Sequence, residues 1–531
     1  MSENQTYLDL ISGVYEVRGP AGAGKTYRLT QDVQELVKTG KKCTLISFSN
    51  AAVDELKLRI GIDSVVASTI HSFAWHLISP LSTVLLDEAD LLTEFEPDAF
   101  KKSKDGLSWD GVSQLLYDTG VPYYNEEDQI LSLGHNDVIK LFDYLLDCLP
   151  IFAQLVINSM DVLIIDEYQD TNRTFLKHVM EKLAAKILIG LYGDPCQTIY
   201  RVDKGAPDLD ALLTAYQTTK VPLTSNYRSD SNLVEYFNQV RASFDGLAQM
   251  ATAEHAGGEI HVIIGDGELN DDIRQKIIQK YALSHAMTLS STNYLALAAV
   301  GQGDIAKSAH QKVNKYRQAN HHGGKQWGDF LSLEPLIPEL SVLNTMGQFF
   351  SGKGYRQTQA ALECFTLQSI ERVGLSQLDD LITTAAEQSF DNFEDFFKSH
   401  GLIWQDSIQA LLELVKTFGA DGTKKVSSFL EALEKLTDST TIFQAKGREY
   451  QSVILNIDTG QYWPYGWKNI DFDNSESNGV ITSAMVYFLY YVGITRAKSK
   501  LVIYINRKTD QEFLGKFEEQ FHFDELEVAD L

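Results

Sequence analysis

The chain has 531 residues, more than one hydrophobic core accommodates, so we expect several domains. Hydrophobic residues make up 44% of it, and it has no run of about 18 apolar residues, which excludes a membrane-spanning helix and predicts a globular, cytosolic protein. The net charge of −26 excludes the binding of a polyanion over a broad surface, because phosphate contacts need local Lys and Arg, so any nucleic acid must bind in a confined groove.

The first element in chain order is predicted to be a strand, a phosphate loop (P-loop) and a helix. The apolar run GVYEV precedes residues 19–26, GPAGAGKT, which match GxxxxGK[ST] at every fixed position. Backbone N–H groups of such a loop surround a β-phosphate, the lysine reaches the β- and γ-phosphates, and the threonine hydroxyl is placed for Mg²⁺. The sequence therefore predicts ATP and Mg²⁺ as cofactors. The predicted nucleotide-binding residues of the loop are Gly19, Ala21, Gly22, Ala23, Gly24, Lys25 and Thr26.

A P-loop enzyme also needs a carboxylate at the end of a neighbouring strand, and two segments compete for this role. Residues 83–90, TVLLDEAD, contain the signature of another class of P-loop protein, but no other motif of that class follows, so we interpret them as a coincidental match. Residues 161–170, DVLIIDEYQD, form an apolar strand that ends in Asp-Glu, and residues 193–200, GDPCQTIY, follow it. We prefer the second segment.

Three residues of the preferred segments have predicted roles in phosphoryl transfer. Asp166 holds Mg²⁺ through water, together with the hydroxyl of Thr26. Glu167 polarises the attacking water, and Gln197 senses the γ-phosphate from the next strand end. The alternative interpretation is a solvated, acidic helix start at each place.

Further blocks follow the P-loop in a fixed order. They are residues 47–56 (SFSNAAVDEL), 69–73 (TIHSF), 223–229 (LTSNYRS), 440–450 (TTIFQAKGREY) and 490–498 (YYVGITRAK). Together with the P-loop, the acidic block 161–170 and the glutamine block 193–200, this series resembles the superfamily 1 helicases of the UvrD/Rep/PcrA type. The resemblance extends from the P-loop to about residue 500.

The resemblance implies a groove for single-stranded DNA. Phe48 would offer a stacking face while hydroxyl, amide and backbone groups bind phosphates, a mode that tolerates any base sequence. A lone Phe after a strand can instead belong to the core. The family's stacking tryptophan is absent, because residues 201–206 read RVDKGA, and its role can pass to Tyr200 or Phe443. The residues assigned to DNA are Phe48, Asn50, Thr69, His71 and Tyr200.

The resemblance also completes the nucleotide site. Tyr227 would stack on adenine and Arg228 would reach the γ-phosphate. In the later blocks Gly447 and Glu449 would contact the nucleotide, with Glu449 holding the ribose. Arg496 would act as an arginine finger that stabilises charge on the transferred phosphoryl group. Each of the charged residues, taken alone, could instead form an ordinary surface ion pair.

The implied fold class is α/β, with two RecA-like parallel-sheet P-loop domains, each interrupted by a mainly helical insertion. The expected boundaries are 1–75 plus 156–225 for the first motor domain, 76–155 for its insertion, 226–300 plus 437–531 for the second motor domain and 301–436 for its small helical insertion. No metal beyond Mg²⁺ is predicted, since the four cysteines form no CxxC pair.

The resemblance implies an ATP-dependent single-stranded DNA translocase or DNA helicase that moves 3′ to 5′ and acts in repair, replication or recombination. Its expected partner is single-stranded or tailed duplex DNA, and no membrane is involved. Short insertions favour translocation over unwinding. The alternative is a DNA-sensing ATPase subunit that regulates a partner nuclease in a bacterial or phage defence or repair complex. The acidic composition, the apolar run 485–489 and the missing tryptophan motivate this alternative.

Overall fold

The computed structural model describes residues 6–98, 100, 108–117, 123–125, 127–199, 208–303, 364–386, 393–404, 437–459, 466–472, 481–521 and 525–527. Contacts divide the chain into two compact units, Met1–Ala256 and Gly257–Leu531. Each unit contains one large parallel sheet.

The first unit is built on a six-stranded sheet in which every strand pair is parallel. The strands of this unit are β1 Gly13–Arg18, β2 Cys43–Ser47, β3 Val66–Thr69, β4 Gln114–Tyr117, β5 Tyr123–Asn125, β6 Ile130–Leu133, β7 Val162–Asp166, β8 Leu188–Gly193, β9 Thr219–Pro222, β10 Ser225–Asn226 and β11 Met250–Ala251. The order in the large sheet is β3-β2-β7-β8-β1-β9. All residues of the central strands β2, β7 and β8 are buried, which explains why they read as continuous apolar runs.

Helices cover this sheet. Those of the first unit are Lys25–Lys38, Asn50–Ile60, Ile70–Ile78, Ser82–Asp87, His135–Cys148, Pro150–Ser159, Arg173–Leu183, Leu209–Ala215 and Ser231–Arg241. The helix Ser82–Asp87 contains most of the rejected acidic segment. Its carboxylates therefore do not follow a strand, and the preference for Asp166-Glu167 agrees with the fold.

The first insertion contains a small sheet as well as helices. Strands β4, β6 and β5 lie in that order, with one parallel and one antiparallel pair. Its apolar side chains, including Trp109 and Phe142, belong to the same core cluster as Ile46 and Leu163 of the large sheet. The insertion is thus packed on the motor sheet, because both bury their apolar faces in one core.

The second unit repeats the topology of the first. Its strands are β12 Glu259–Gly265, β13 Ala286–Ser290, β14 Ser439–Thr441, β15 Tyr450–Ile457, β16 Ala497–Asn506 and β17 Glu525–Glu527. Their order is β14-β13-β15-β16-β12-β17, and every pair is parallel. Counted along the chain, both large sheets therefore run third, second, fourth, fifth, first, sixth. The expected α/β fold with two parallel sheets is confirmed.

The helices of the second unit are Asp271–Lys280, Asn293–Ala298, Leu367–Val373, Leu375–Ala386, Phe393–Ser399, Ile442–Ala445, Ile481–Ile494 and Gln511–Gln520. Three of them lie in the segment 301–436, whose remainder is largely outside the described residues. The apolar run 485–489 lies in Ile481–Ile494, and four of its five residues are buried. This run is core, so it no longer supports an exposed docking patch.

No single helix in the described part of the chain is long and apolar enough to cross a membrane. The pair His135–Cys148 and Pro150–Ser159 passes a test of length and composition only when joined, and it is bent by 108°. Both helices contribute buried residues to the core of the first unit.

The boundary between the units lies at 256/257, later than the expected change of motor domain at 225/226. Two features hold residues 226–256 to the first unit. Strand β10 pairs with β11, and Arg241 forms an ion pair with Asp194 at the end of β8.

Candidate nucleotide and strand-binding site

The predicted site residues of the first unit lie at one edge of its sheet. All strands of a parallel sheet end at the same edge, where ligands of open α/β sheets bind. The P-loop follows β1, while Asp166 ends β7 and Asp194 follows β8. These three strands are neighbours. The blocks assigned to DNA follow β2 and β3, so the topology separates the predicted nucleotide region from the adjoining region assigned to DNA.

The P-loop has the backbone of a phosphate cradle. Gly22 and Gly24 have φ of 79° and 77°, in the left-handed region, and the helix Lys25–Lys38 begins directly after Gly24. The Lys25 ammonium donates to the carbonyl oxygen of Gly19 at 2.8 Å, which holds it over the loop. The Gly19 N–H donates to the Gly193 carbonyl oxygen at 3.0 Å and fixes the loop to β8. A helix N-terminus and a lysine thus face the same small space.

Asn226 joins the P-loop to the block at 223–229. Its side chain is 0% exposed, and its amide nitrogen donates to the Ala21 carbonyl oxygen at 3.0 Å. Its amide oxygen accepts from the backbone N–H groups of Arg228 and Ser229, both at 2.9 Å. Asn226 is not among the residues assigned from the sequence, although it lies in the quoted motif. Its hydrogen bonds bring the next two residues to the nucleotide loop.

Tyr227 lies beside the P-loop. Its N–H donates to the Gly22 carbonyl oxygen at 2.9 Å, and a Cβ at Gly24 would lie 3.5 Å from its ring. The side chain is 62% exposed. A partly exposed ring at the mouth of the loop is suited to stack on a base.

The acidic pair at the end of β7 consists of a buried and a strained residue. Asp166 is buried, and Ser47 Oγ lies 3.4 Å from its Oδ2. Burial raises the pKa of Asp166 to about 7, the charge of Glu167 acts in the same direction, and that of Lys25 opposes both. Glu167 has φ of 49°, which is uncommon for a residue other than glycine. Unusual backbone conformations of this kind cluster at functional sites, where the direction of a side chain matters.

Gln169 orients Glu167, a role not assigned from the sequence. Its amide nitrogen donates to Glu167 Oε2 at 2.5 Å, and its amide oxygen accepts from the Asp194 N–H at 3.1 Å. A Cβ at Gly193 would lie 2.2 Å from that oxygen, so glycine is required there. Asp194 in turn accepts from the Gln197 amide at 2.7 Å. The acidic and glutamine blocks are therefore connected by hydrogen bonds.

The oxygen atoms of this region fit Mg²⁺. A buried carboxylate with a raised pKa gains from a cation, and Asp166 with the hydroxyl of Thr26 would provide the hard oxygen ligands that Mg²⁺ takes. The described residues contain no cluster of three or more His, Cys, Asp or Glu that could hold a metal by themselves. Mg²⁺ commonly binds one or two carboxylates together with substrate phosphates, which agrees with this finding.

The DNA-assigned residues occupy different environments. Phe48 is 49% exposed, so it is not a core side chain. Asn50 is exposed at the start of the helix Asn50–Ile60. The Thr69 hydroxyl accepts from the Ser72 N–H and thereby caps the next helix. Tyr200 lies outside the described residues.

Comparisons with known proteins identify distant relatives of the chain. The family described as an AAA domain matches residues 7–203. PcrA, an ATP-dependent DNA helicase of Bacillus subtilis, is 25% identical over 41% of this chain and 36% of its own length. Rep, the corresponding enzyme of Escherichia coli, is 23% identical over 44% and 42%. The chain is a distant homologue of the UvrD-family superfamily 1 helicases.

Other relatives match a larger part of this chain. The Gabija protein GajB of Bacillus cereus strain VD045 is 22% identical over 97% of both chains. The GajB protein of strain HuB5-5 is 20% identical over 85% of this chain and 73% of its own. The AAA domain implies ATP binding, and the helicase family implies ATP hydrolysis.

Three residues of the second unit are assigned to the nucleotide from the sequence, and the structure describes each within its own unit. Arg496 is 1% exposed, and its guanidinium donates to the carbonyl oxygens of Val492 and Arg448 at 3.0 and 3.3 Å. Glu449 accepts from Lys498 at 2.6 Å. Gly447 has φ of 80° in the turn that follows the helix Ile442–Ala445. Their nucleotide contacts stay predictions.

His71 is expected to make the free energy of unfolding of the protein depend on pH. Its ring lies 4.3 Å from that of His135, and burial followed by the charge of His135 lowers the pKa of His71 to about 4. His71 therefore stays neutral in the folded protein at pH values where the unfolded chain, with a His pKa near 6.5, is already protonated. Stability from neutral His71 is complete above pH 6.5 and is lost as the pH falls towards 4. Between pH 7 and 5 this loss should be on the order of 2 kcal/mol.

The measurement is the melting temperature between pH 7 and 5 for wild type, His71→Gln and the control His76→Gln. His76 is exposed on the same helix. The melting temperature of His71→Gln should fall less with acid than that of the other two proteins. Equal slopes in all three would contradict the expectation.

Proposed function

We propose that the chain is a DNA-dependent ATPase that serves as a subunit of a defence or repair assembly, where ATP and a DNA strand control a partner nuclease. The observation that carries the ATPase is the convergence of the P-loop, Asp166-Glu167 and Gln197 at the ends of three neighbouring strands. The similarity to Gabija proteins over up to 97% of both chains supports the role as a subunit. PcrA and Rep match less than half of this chain.

In this proposal each residue at the sheet edge has a chemical task. The P-loop N–H groups and Lys25 bind the β- and γ-phosphates. Glu167, held by Gln169, orients the attacking water and accepts its proton. Gln197 contacts the γ-phosphate, and Tyr227 stacks on the base. Bound by Asp166 and Thr26, Mg²⁺ would neutralise charge that develops on the phosphate oxygens.

The proposed DNA ligand is a single strand that lies along the ends of β2 and β3. The exposed ring of Phe48 supports this, since stacking on one base contributes about 1–3 kcal/mol in a sequence-tolerant way. The net charge of −26 restricts the strand to a narrow path. Hydrolysis would report that a strand occupies this path.

A second candidate is the autonomous 3′-to-5′ translocase or helicase that the motif series implies. The similarity to PcrA and Rep supports it, as does the separation of the predicted nucleotide and DNA regions along one sheet edge. The two candidates share the ATPase. They differ in whether the chain alone displaces a strand.

The test is ATP hydrolysis by the purified full chain with and without single-stranded DNA, together with strand displacement on a 3′-tailed duplex. We expect hydrolysis that single strands stimulate, without displacement by the chain alone. Displacement by the chain alone would favour the autonomous helicase. Hydrolysis that does not respond to DNA would contradict both candidates, and Lys25→Ala controls for a contaminating ATPase.

A further inference from the structure

A buried ion pair joins Asp194, three residues before Gln197, to Arg241 in the segment that follows Tyr227 and Arg228. Arg241 is 1% exposed and Asp194 is 0% exposed. Two guanidinium nitrogens of Arg241 lie 2.9 and 3.0 Å from the two carboxylate oxygens of Asp194. This is the bidentate geometry that only arginine provides, and it fixes the plane of the carboxylate.

Asp194 uses the same carboxylate to hold Gln197. The Gln197 amide nitrogen donates to Asp194 Oδ2 at 2.7 Å, and the Cys196 N–H donates to Oδ1 at 3.2 Å. Burial alone would raise the pKa of Asp194, but the charge and hydrogen bonds of Arg241 outweigh it, and the pKa is lowered. Asp194 is therefore an ionised acceptor with a set orientation. The direction of the Gln197 amide depends on that orientation.

Arg241 is itself held by further ion pairs. Asp245 accepts from its Nε and Nη2 at 2.8 and 2.7 Å. Arg18, at the end of β1, lies 3.5 Å from Asp245 and donates to the buried Glu16 at 2.7 Å. Tyr168, which follows the acidic pair, also donates to Glu16. The network thus connects the ends of β1, β7 and β8, from which the P-loop, Glu167 and Gln197 project.

We propose that Arg241 is a positioning residue for ATP hydrolysis, which sets the Gln197 amide against the γ-phosphate through Asp194. The inference rests on the proposed ATPase and adds a residue to it. Arg241 lies in the same segment as Tyr227 and Arg228, so it also ties γ-phosphate contact to the part of the chain that leads into the second unit. A displacement of this segment would turn Gln197 away from the phosphate.

The test compares Arg241→Met and Arg241→Lys with wild type by steady-state ATP hydrolysis on the full chain. Arg241→Met should lower kcat by about 10- to 100-fold with KM changed by less than about 3-fold. A misdirected Gln197 amide reduces the stabilisation of the transition state more than it reduces the binding of ATP. Arg241→Lys keeps one charge but not the fork, so it should retain an intermediate kcat. An unchanged kcat in both variants would overturn the inference.

A buried arginine of the other unit is the matched control. Arg274 is 3% exposed, donates to Thr288 at 3.0 Å and lies 3.7 Å from both Asp271 and Asp438. Arg274→Met should lower the melting temperature while kcat per folded chain stays within about 2-fold of wild type. Loss of kcat in this control equal to that in Arg241→Met would reduce Arg241 to a general stabilising role.

A double-substitution cycle separates positioning from stability. If Arg241 acts through Gln197, then Gln197→Ala combined with Arg241→Lys should be no slower than Gln197→Ala alone, within about 2-fold. Losses that multiply would overturn the inference even if both single variants are slow. Absence of hydrolysis in wild type would instead remove the proposed function, and the inference with it.

Discussion

Glu167→Gln is expected to lower kcat for ATP hydrolysis by about 10²- to 10⁴-fold, the usual contribution of a positioned general base. The substitution keeps the shape of the side chain and removes the proton acceptor. The Gln169 amide donates to the Glu167 carboxylate at 2.5 Å, and Glu167 has φ of 49°. The side chain therefore has little freedom to move and so to compensate for the lost proton acceptor. ATP affinity should stay within about 3-fold, since the P-loop is unchanged. Single-turnover hydrolysis and nucleotide titration measure the two quantities.

Glu88→Gln is the matched control for this prediction. Glu88 is the glutamate of the competing acidic segment, and it is exposed at the end of the helix Ser82–Asp87. Its substitution should leave kcat within about 2-fold of wild type, because surface changes away from a site have small effects. A loss in Glu88→Gln with an active Glu167→Gln would reverse the assignment of the two segments.

Gly22→Ala is expected to abolish saturable ATP binding and to lower the free energy of unfolding by about 1–3 kcal/mol. Gly22 has φ of 79°, and a Cβ there would lie 2.7 Å from Asn226 Oδ1 and 2.9 Å from the Cβ of Arg228. Asn226 cannot move without releasing its bonds to Ala21 and to the Arg228 N–H. The added methyl group therefore separates the P-loop from the Tyr227–Arg228 segment.

Gly40→Ala isolates the backbone part of this effect. Gly40 has a similar φ of 84°, but no atom lies within 4 Å of a Cβ built there. It should show the strain of a left-handed alanine, about 1 kcal/mol, with normal ATP affinity. If Gly40→Ala and Gly22→Ala bound ATP equally well, close contact with Asn226 would not matter for the nucleotide site.

Local patterns were sufficient to predict the parts of the site that lie on consecutive residues. The P-loop combines a glycine-rich run with an adjoining apolar strand, and β7 is an apolar run that ends in two carboxylates. Both patterns reflect the short-range demands of a parallel sheet and a phosphate turn. The same reasoning also makes residues 83–87 resemble a strand, yet Ser82–Asp87 is a helix. Strand propensity in such short segments gives way to tertiary packing.

The residues that connect the site could not be found in this way. Asn226 lies 205 positions from its partner Ala21, and Arg241 lies 47 from Asp194. Such hydrogen bonds depend on how the chain returns to the sheet, which no local period encodes. The three-stranded sheet of the first insertion was missed for a related reason. Its strands have only three or four residues, too few for an alternating pattern.

The shared strand order of the two large sheets places a loop at the corresponding position in each, after the first strand. In the first unit the loop after the first strand is the P-loop. In the second unit the corresponding residues 266–270, between β12 and the helix Asp271–Lys280, read DGELN and carry two carboxylates. Arg507 forms an ion pair with Asp266 at 2.9 Å, and the turn lacks the GxxxxGK[ST] pattern of a phosphate loop. Within the part of the chain that the structure describes, the second large sheet therefore has no counterpart of the P-loop, and the proposed ATPase would hydrolyse one ATP at a time.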